Sequence, residues 1–195
     1  MSRRVITPEG VLSFPFLFAP RAAMPGEEPK YQAVICFPEG TDLSALRKAA
    51  LEVATEAWGP EATKQIKAGK IRMPFREPEP DEDGTAWYPE GTTYMTCRSK
   101  SRPGVVDRYL DPETGKPRVI EDPDVMYPGC RVRFSVTFFS YDRNGNRGVG
   151  VALNNVQRMG DGPRLDSRVH AQDEFSGEAP PENLDWGGGD DGGVL

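Results

Sequence analysis

Apolar and polar positions alternate with period two along most of this chain and follow a helical period over one early stretch. Residues 3 to 18 alternate loosely through Val5, Ile6, Val11, Leu12, Phe14, Phe16 and Phe18, which predicts an opening strand or two, broken at Pro8-Glu9-Gly10. Tyr31 to Phe37 (YQAVICF) is rich in β-formers and is closed by Pro38. Thr41 or Asp42 then caps a helix over about Leu43 to Trp58, with Leu46, Ala50, Val53, Ala54 and Ala57 as its apolar stripe. Gly59-Pro60 ends it, and Glu61 to Ala68 supplies a second short helix stopped by Gly69. A polar, Pro-rich loop fills residues 76 to 91, and Thr92 to Ser101 is the next strand. Val105 to Tyr109 and Arg118 to Ile120 flank Asp111 to Gly115 as a hairpin or long loop. Arg131 to Tyr141 is the clearest strand, turned by Asp142 to Gly145 into a Gly-interrupted strand over Gly148 to Arg158. The sum is a mostly β domain with one or two helices inserted early, at about 42–68. That is the pattern of a small Greek-key barrel of the oligonucleotide-binding (OB) type.

Two strands sort their side chains into a core face and a chemical face. In Arg131 to Tyr141 the core list is Val132, Phe134, Val136 and Phe138, and the opposite list is Arg131, Arg133, Ser135, Thr137, Phe139 and Tyr141. Guanidiniums neutralise phosphates and aromatic faces stack bases, at roughly 1–3 kcal/mol per stacked base. A solvated sheet face with incidental aromatics fits this strand about equally well. From Thr92 to Lys100, Thr93, Met95 and Cys97 face one way while Tyr94, Thr96, Arg98 and Lys100 face the other, with Arg102 at the following turn. Two such strands in one small domain favour nucleic-acid binding. Lys64, Lys67, Lys70, Arg72 and Arg76 form a third basic stretch around Phe75, readable as an ordinary solvated face. Trp58 and Trp87 fit core positions as well as stacking ones.

Other chemistries find less support. Cys36, Cys97 and Cys130 are far apart, with no C-x-x-C, which predicts buried thiols in a reducing cytoplasm and no zinc site. His170 is the single histidine and stands near the end of the ordered pattern, so triad catalysis has no stable base. Asp81-Glu82-Asp83 is the one dense acidic cluster before the tail; a metal-dependent nuclease would have to use it from within a Pro-rich loop. No metal or cofactor is expected. No apolar run approaches the roughly 20 residues that span a bilayer, and the N-terminus lacks a signal-peptide core.

The charge is segregated. The chain has 24 basic and 30 acidic residues, for a formal charge of −6. Seven acids and no Lys or Arg fall in residues 173 to 195, leaving 24 bases against 23 acids before them. That segment is rich in Gly and Pro and too poor in apolar surface to order itself. Residues 1–172 are therefore expected to form the domain and 173–195 a disordered acidic tail, in which Asp185, Trp186, Asp190, Asp191 and Leu195 are candidate partner contacts. A merely solubilising tail is the simpler alternative.

Two segments resemble a known family. YPEGTTYMTCRSKSRPGVVD (88–107) and MYPGCRVRFSVTFFSYDRNGNRGVGVALNNVQRMGDGPRLDSR (126–168) are similar to bacteriophage single-stranded DNA (ssDNA) binding proteins. That family's approximate pattern has a G-x-x-x-x-x-A-x-S-K-x-x-P-x-V-V-D stretch, then Y-x-G-C, an aromatic-rich strand ending in Y-D, and a G-[IV]-x-x-x-L-N-N-V-Q segment with a D-G-x-x-L ending. Leu153 to Gln157 followed by Asp161-Gly162 is the most specific part, and the resemblance spans about residues 3 to 175. Cys97 stands where the pattern favours Ala, a small-for-small exchange. The resemblance implies an OB-fold protein that coats single strands in phage DNA replication, recombination or repair, in the host cytoplasm. It also implies that the acidic tail docks on phage or host replication proteins. The candidate DNA contacts are Tyr94, Arg98, Lys100, Arg102, Arg131, Arg133, Phe139 and Tyr141, with Asn154 and Arg158 secondary. Such a protein is not an enzyme and can self-associate. The alternatives are a metal-dependent nuclease and a pure protein-interaction module of the replication machinery.

Overall fold

The period-two segments become ten strands, seen in a computed structural model that describes residues 3–22, 24–79 and 88–165. In chain order these are β1 (Arg3–Ile6), β2 (Gly10–Arg21), β3 (Lys30–Phe37), β4 (Ile71–Arg72), β5 (Phe75–Arg76), β6 (Thr93–Ser99), β7 (Gly104–Leu110), β8 (Pro117–Val119), β9 (Arg131–Arg143) and β10 (Asn146–Gly160). Two helices, α1 (Ser44–Trp58) and α2 (Ala62–Lys67), lie between β3 and β4. Trp87, Asp81-Glu82-Asp83, His170 and the whole 173–195 segment lie outside the described residues.

Five strands close a ring in the order β2-β3-β6-β10-β9 and back to β2. Only the β6–β10 contact, at Arg98 and Ala152, is parallel; the other four are antiparallel. That is an OB-like barrel. β1 continues the line of β2 along β9, and the break between them is bridged by Thr7, whose hydroxyl accepts from the Phe134 amide at 2.9 Å. The hairpin β7–β8 extends the sheet beyond β10, while β4 and β5 add short pairings to β10 and β6.

Alternation fills the ring from all five strands. Leu12, Leu17, Ala33, Ile35, Phe37, Met95, Cys97, Phe134, Val136 and Phe138 are buried inside, as are Val149, Val151, Leu153 and Val156. Large side chains of this kind contribute roughly 1.5–3 kcal/mol each on burial. α1 lies against β1, β9 and β10, burying Leu46, Ala49, Ala50, Val53 and Ala54. Ala57 is exposed; in the last turn Trp58 packs on the core in its place. The Asp42 carboxylate accepts the Ser44 amide at 2.9 Å where α1 begins, whereas the Thr41 hydroxyl bonds back to the Pro38 carbonyl. All three cysteines are free and buried.

Candidate nucleic-acid interface

Directly paired residues on neighbouring strands project from the same face of a sheet, so the register gives the composition of the barrel's outer surface. One row runs Phe16–Gln32–Arg98–Ala152–Thr137 across β2, β3, β6, β10 and β9. A second runs Arg131–Val11–Cys36–Tyr94–Arg76 across β9, β2, β3, β6 and β5. Ser13, Val34 and Thr96 lie between them. Tyr94, Arg98 and Lys100 therefore share a face with Phe16 of β2, and Phe18, which also packs on the core, follows two residues on.

The cations of this face are held mostly by neutral groups. Arg98 Nε donates to the Gln32 side-chain carbonyl at 2.7 Å, leaving its terminal nitrogens toward solvent. The guanidinium of Arg102 sits 5.4 Å over the Phe18 ring and that of Arg21 sits 5.0 Å over Phe16. Such stacking holds a long side chain in place without cancelling its charge. Phe16, Arg21, Ala22, Gln32 and Arg98 line a cavity of about 220 Å³. Lys100 is the exception, since it pairs with Glu28 at 2.7 Å and both side chains are exposed. The hydrogen bond from Lys100 and its charge hold the Glu28 carboxyl below the usual range.

Tyr88 closes over the Tyr94 end of the face. Its hydroxyl shares a 2.7 Å hydrogen bond with Ser13, and its ring lies 6.1 Å from that of Tyr94. Burial pushes the Tyr88 phenol up to about 12 and the neighbouring Cys36 thiol up to about 11, so both stay neutral at physiological pH. Beyond Tyr94, Arg47, Phe75, Arg76 and Thr93 border a wider cavity of about 730 Å³, where Arg47 stacks 5.5 Å over Phe75. Arg76 thus lies beside Tyr94 on this face, while Lys64 and Lys67 remain on the exposed side of α2.

On β9 the predicted alternation is observed, and β10 explains why two aromatics stand on its outer face. Phe139 pairs with Gly150 and Tyr141 with Gly148; a Cβ would lie 2.5 Å from the Phe139 ring at Gly150 and 2.7 Å from the Tyr141 ring at Gly148. The rings lie across a strand with no side chains there, and Phe139 remains 42% exposed. Gly148, Gly150 and Ala152 thus make a low strip running alongside the Phe139–Tyr141 pair and meeting Arg98 at Ala152. Arg131 is committed to a carboxylate, whereas Arg133 has a neutral amide partner like Arg98 but is half-buried. Arg131 bonds Glu9 at 3.0 Å and the Asp161 carbonyl at 3.2 Å, and Arg133 donates to Gln157 at 2.7 Å.

The two secondary candidates separate at a bulge. The register of β10 slips between Leu153 and Asn155, so Asn154 is the extra residue and exchanges hydrogen bonds with Thr137 at 2.9 and 3.3 Å. Past the slip the faces exchange, and Arg158 pairs opposite the core residue Val132. Its side chain is 13% exposed and bonds Asp161 at 2.6 Å, with Asp107 at 3.9 Å. Arg158 is therefore off the Arg98 face, and its charge is already matched. Among the described residues no group of three or more His, Cys, Asp or Glu side chains is placed to hold a metal ion.

Comparison with known proteins comes from three directions. Residues 3–184 match the profile of a family described as Enterobacter phage Enc34, ssDNA-binding protein. Protein p50 of Acyrthosiphon pisum secondary endosymbiont phage 1 is 35% identical over 158 residues, covering 77% of this chain and 80% of p50. The single-stranded DNA-binding protein from bacteriophage Enc34, solved in complex with ssDNA, superposes with a TM-score of 0.59 at 20% identity, covering 84% of this chain and 89% of that one. For gp2.5, a single-stranded DNA binding protein encoded by bacteriophage T7, the TM-score is 0.56 at 14% identity, with 94% and 98% covered. At such identities the structural likeness speaks for the fold alone.

Proposed function

Because this chain belongs to the phage ssDNA-binding protein family represented by that of Enterobacter phage Enc34, we propose that it binds single-stranded DNA without sequence preference and serves phage DNA replication, recombination or repair as a non-enzymatic coat protein. The observation that carries this reading is the β2–β3–β6 face. Tyr94 and Tyr88 offer ring faces there beside Arg98, Arg102 and Arg21, whose charges rest on amide and aromatic partners. Stacking and phosphate neutralisation read no base edges, so affinity follows strand flexibility and salt rather than sequence. Lys100, Arg131, Arg133, Phe139, Tyr141 and Asn154 extend the path around the barrel, Lys100 and Arg131 only after yielding their carboxylate partners.

The acidic tail, outside the described residues, competes in this reading with DNA for the same cations. When DNA displaces it, Asp185, Trp186, Asp190, Asp191 and Leu195 are freed for a replication protein. The test is a titration of fluorescent oligo-dT with the full chain and with a chain ending at Gln172, at several salt concentrations. Affinity that falls with salt and tightens without the tail is expected. Equal affinity of the two chains would remove the competition and leave the tail a partner hook. Absence of binding by both would overturn the DNA reading in favour of a protein-interaction module.

A further inference from the structure

The second half of β2 contains a backbone conformation that its own residue opposes. Between Ser13, paired with Val34, and Phe16, paired with Gln32, β2 spends three steps where β3 spends two. The extra residue falls at Phe14-Pro15, and Phe14 has φ +46. A left-handed residue other than Gly, Asn or Asp is uncommon, and a bulky one is strained. Pro15 adds to the conflict, because the residue before a proline is pressed toward extended backbone.

The fold needs the bulge but not this side chain. Leu12 and Leu17 are both fully buried, and five residues apart they could not both point inward on a regular strand. One inserted residue restores the parity, and Gly or Asn would make the same bulge at lower cost. The Phe14 ring gives the core little in return, being 52% exposed and absent from the residues that pack on it. The exposed Phe14 stands in the chain between two residues of the outer face, Ser13, which bonds Tyr88, and Phe16. Strain retained at an exposed aromatic is the pattern of a residue kept for a ligand.

We propose that Phe14 is a base-stacking residue of the interface, held out by the bulge, so that the protein gives up stability at this position for DNA affinity. This rests on the ssDNA reading and adds a projecting ring on β2 to the β2–β3–β6 face. Single-stranded DNA, rather than duplex, is the fitting ligand, because its bases have faces free to stack on a projecting ring.

The test compares Phe14→Asn, Phe14→Tyr and Tyr94→Ala in the full chain for Tm and oligo-dT affinity. Asn accepts the left-handed backbone, so F14N is expected to raise Tm by about 2–4 °C and to weaken binding roughly 5- to 150-fold. F14Y keeps a ring and is expected to match the wild type in both. The opposite signs in F14N are what a purely structural role would not give. Wild-type affinity in F14N with weakened binding in Tyr94→Ala would overturn this role while leaving the DNA site in place. A lowered Tm in F14N would overturn it also, by making the ring a packing element. Failure of the wild type itself to bind would sink the underlying reading, whatever the variants do.

Discussion

Arg98 and Arg158 are carried by β6 and β10, strands that touch at the Arg98–Ala152 pair, yet their guanidiniums meet opposite partners. Arg98 is exposed and bonds the neutral carbonyl of Gln32. Arg158 faces the carboxylates of Asp161 and Asp107 with little of its side chain in water. The first holds its geometry and keeps its charge available; the second spends its charge inside the protein. A count of basic residues cannot separate the two. The acceptor in the partner position does, because a phosphate gains little from a cation that already has a carboxylate.

The largest effect is expected on the Arg98 side. Replacing Tyr94 and Arg98 together with Ala removes a stacking ring and an uncancelled charge, a loss of about 2–4 kcal/mol in oligo-dT binding. The salt dependence of binding should become shallower by about one phosphate contact, a slope change near 0.7 for single strands. Stability should move by about 0.5 kcal/mol or less for the arginine alone, as for a surface substitution. An unchanged salt slope, measured by fluorescence anisotropy, would place the phosphates elsewhere and dissolve the contrast. Arg158→Ala should act in the other direction. It leaves Asp107 without its cation and Asp161 with only the more distant charge of Arg131, and should cost about 1–2 kcal/mol of stability in urea unfolding. The affinity of the folded fraction for oligo-dT should stay within about twofold. A large loss of affinity there would mean that the ion pairs open to admit DNA.

The sequence placed both arginines among the DNA contacts; what it made legible was the two-faced alternation of the strands, up to the points where they slip. Alternation alone separates Val132, Phe134, Val136 and Phe138 from the outer face of β9, and it places Tyr94 and Arg98 opposite Met95 and Cys97. It fails at Asn154, where one inserted residue turns Val156 and Arg158 inward after Ala152 has pointed out. It fails again at Phe14, since nothing in the string SFPF reveals a left-handed backbone. The glycines at 148 and 150 were visible only as interruptions of a strand. Their use, as space for the rings of Phe139 and Tyr141, depends on a register that sequence does not print. Tyr88 was hidden for a different reason. It belongs to a Pro-rich loop, and only the approach of β5 to β6 and the bond to Ser13 bring it to the face.

The smallest effect concerns pH, and it sharpens the comparison because only one side can titrate. Gln32 carries no proton-dependent charge, so the Arg98 geometry has no acid limit of its own. Asp161 differs: the hydrogen bond from the Tyr127 hydroxyl, at 2.9 Å, and the charges of Arg158 and Arg131 hold its carboxyl below the ordinary range. A carboxyl with a lowered folded pKa takes up its proton more readily in the unfolded chain. Its contribution to stability is therefore complete above the unfolded value, near 3.9, and is lost as pH falls through the lower folded one. Because Asp161 is largely exposed, solvent screens this contribution and the effect is modest. Asp161→Asn should flatten the fall of Tm with pH below about 4, measured at fixed ionic strength, and leave Tm between about pH 6 and 8 with no added slope. Were the acid limb to keep its steepness in Asp161→Asn, the Tyr127–Asp161–Arg158 contact would be an exposed pair of no energetic weight. The cost expected of Arg158→Ala would then fall to its contact with Asp107 and its packing near Val132.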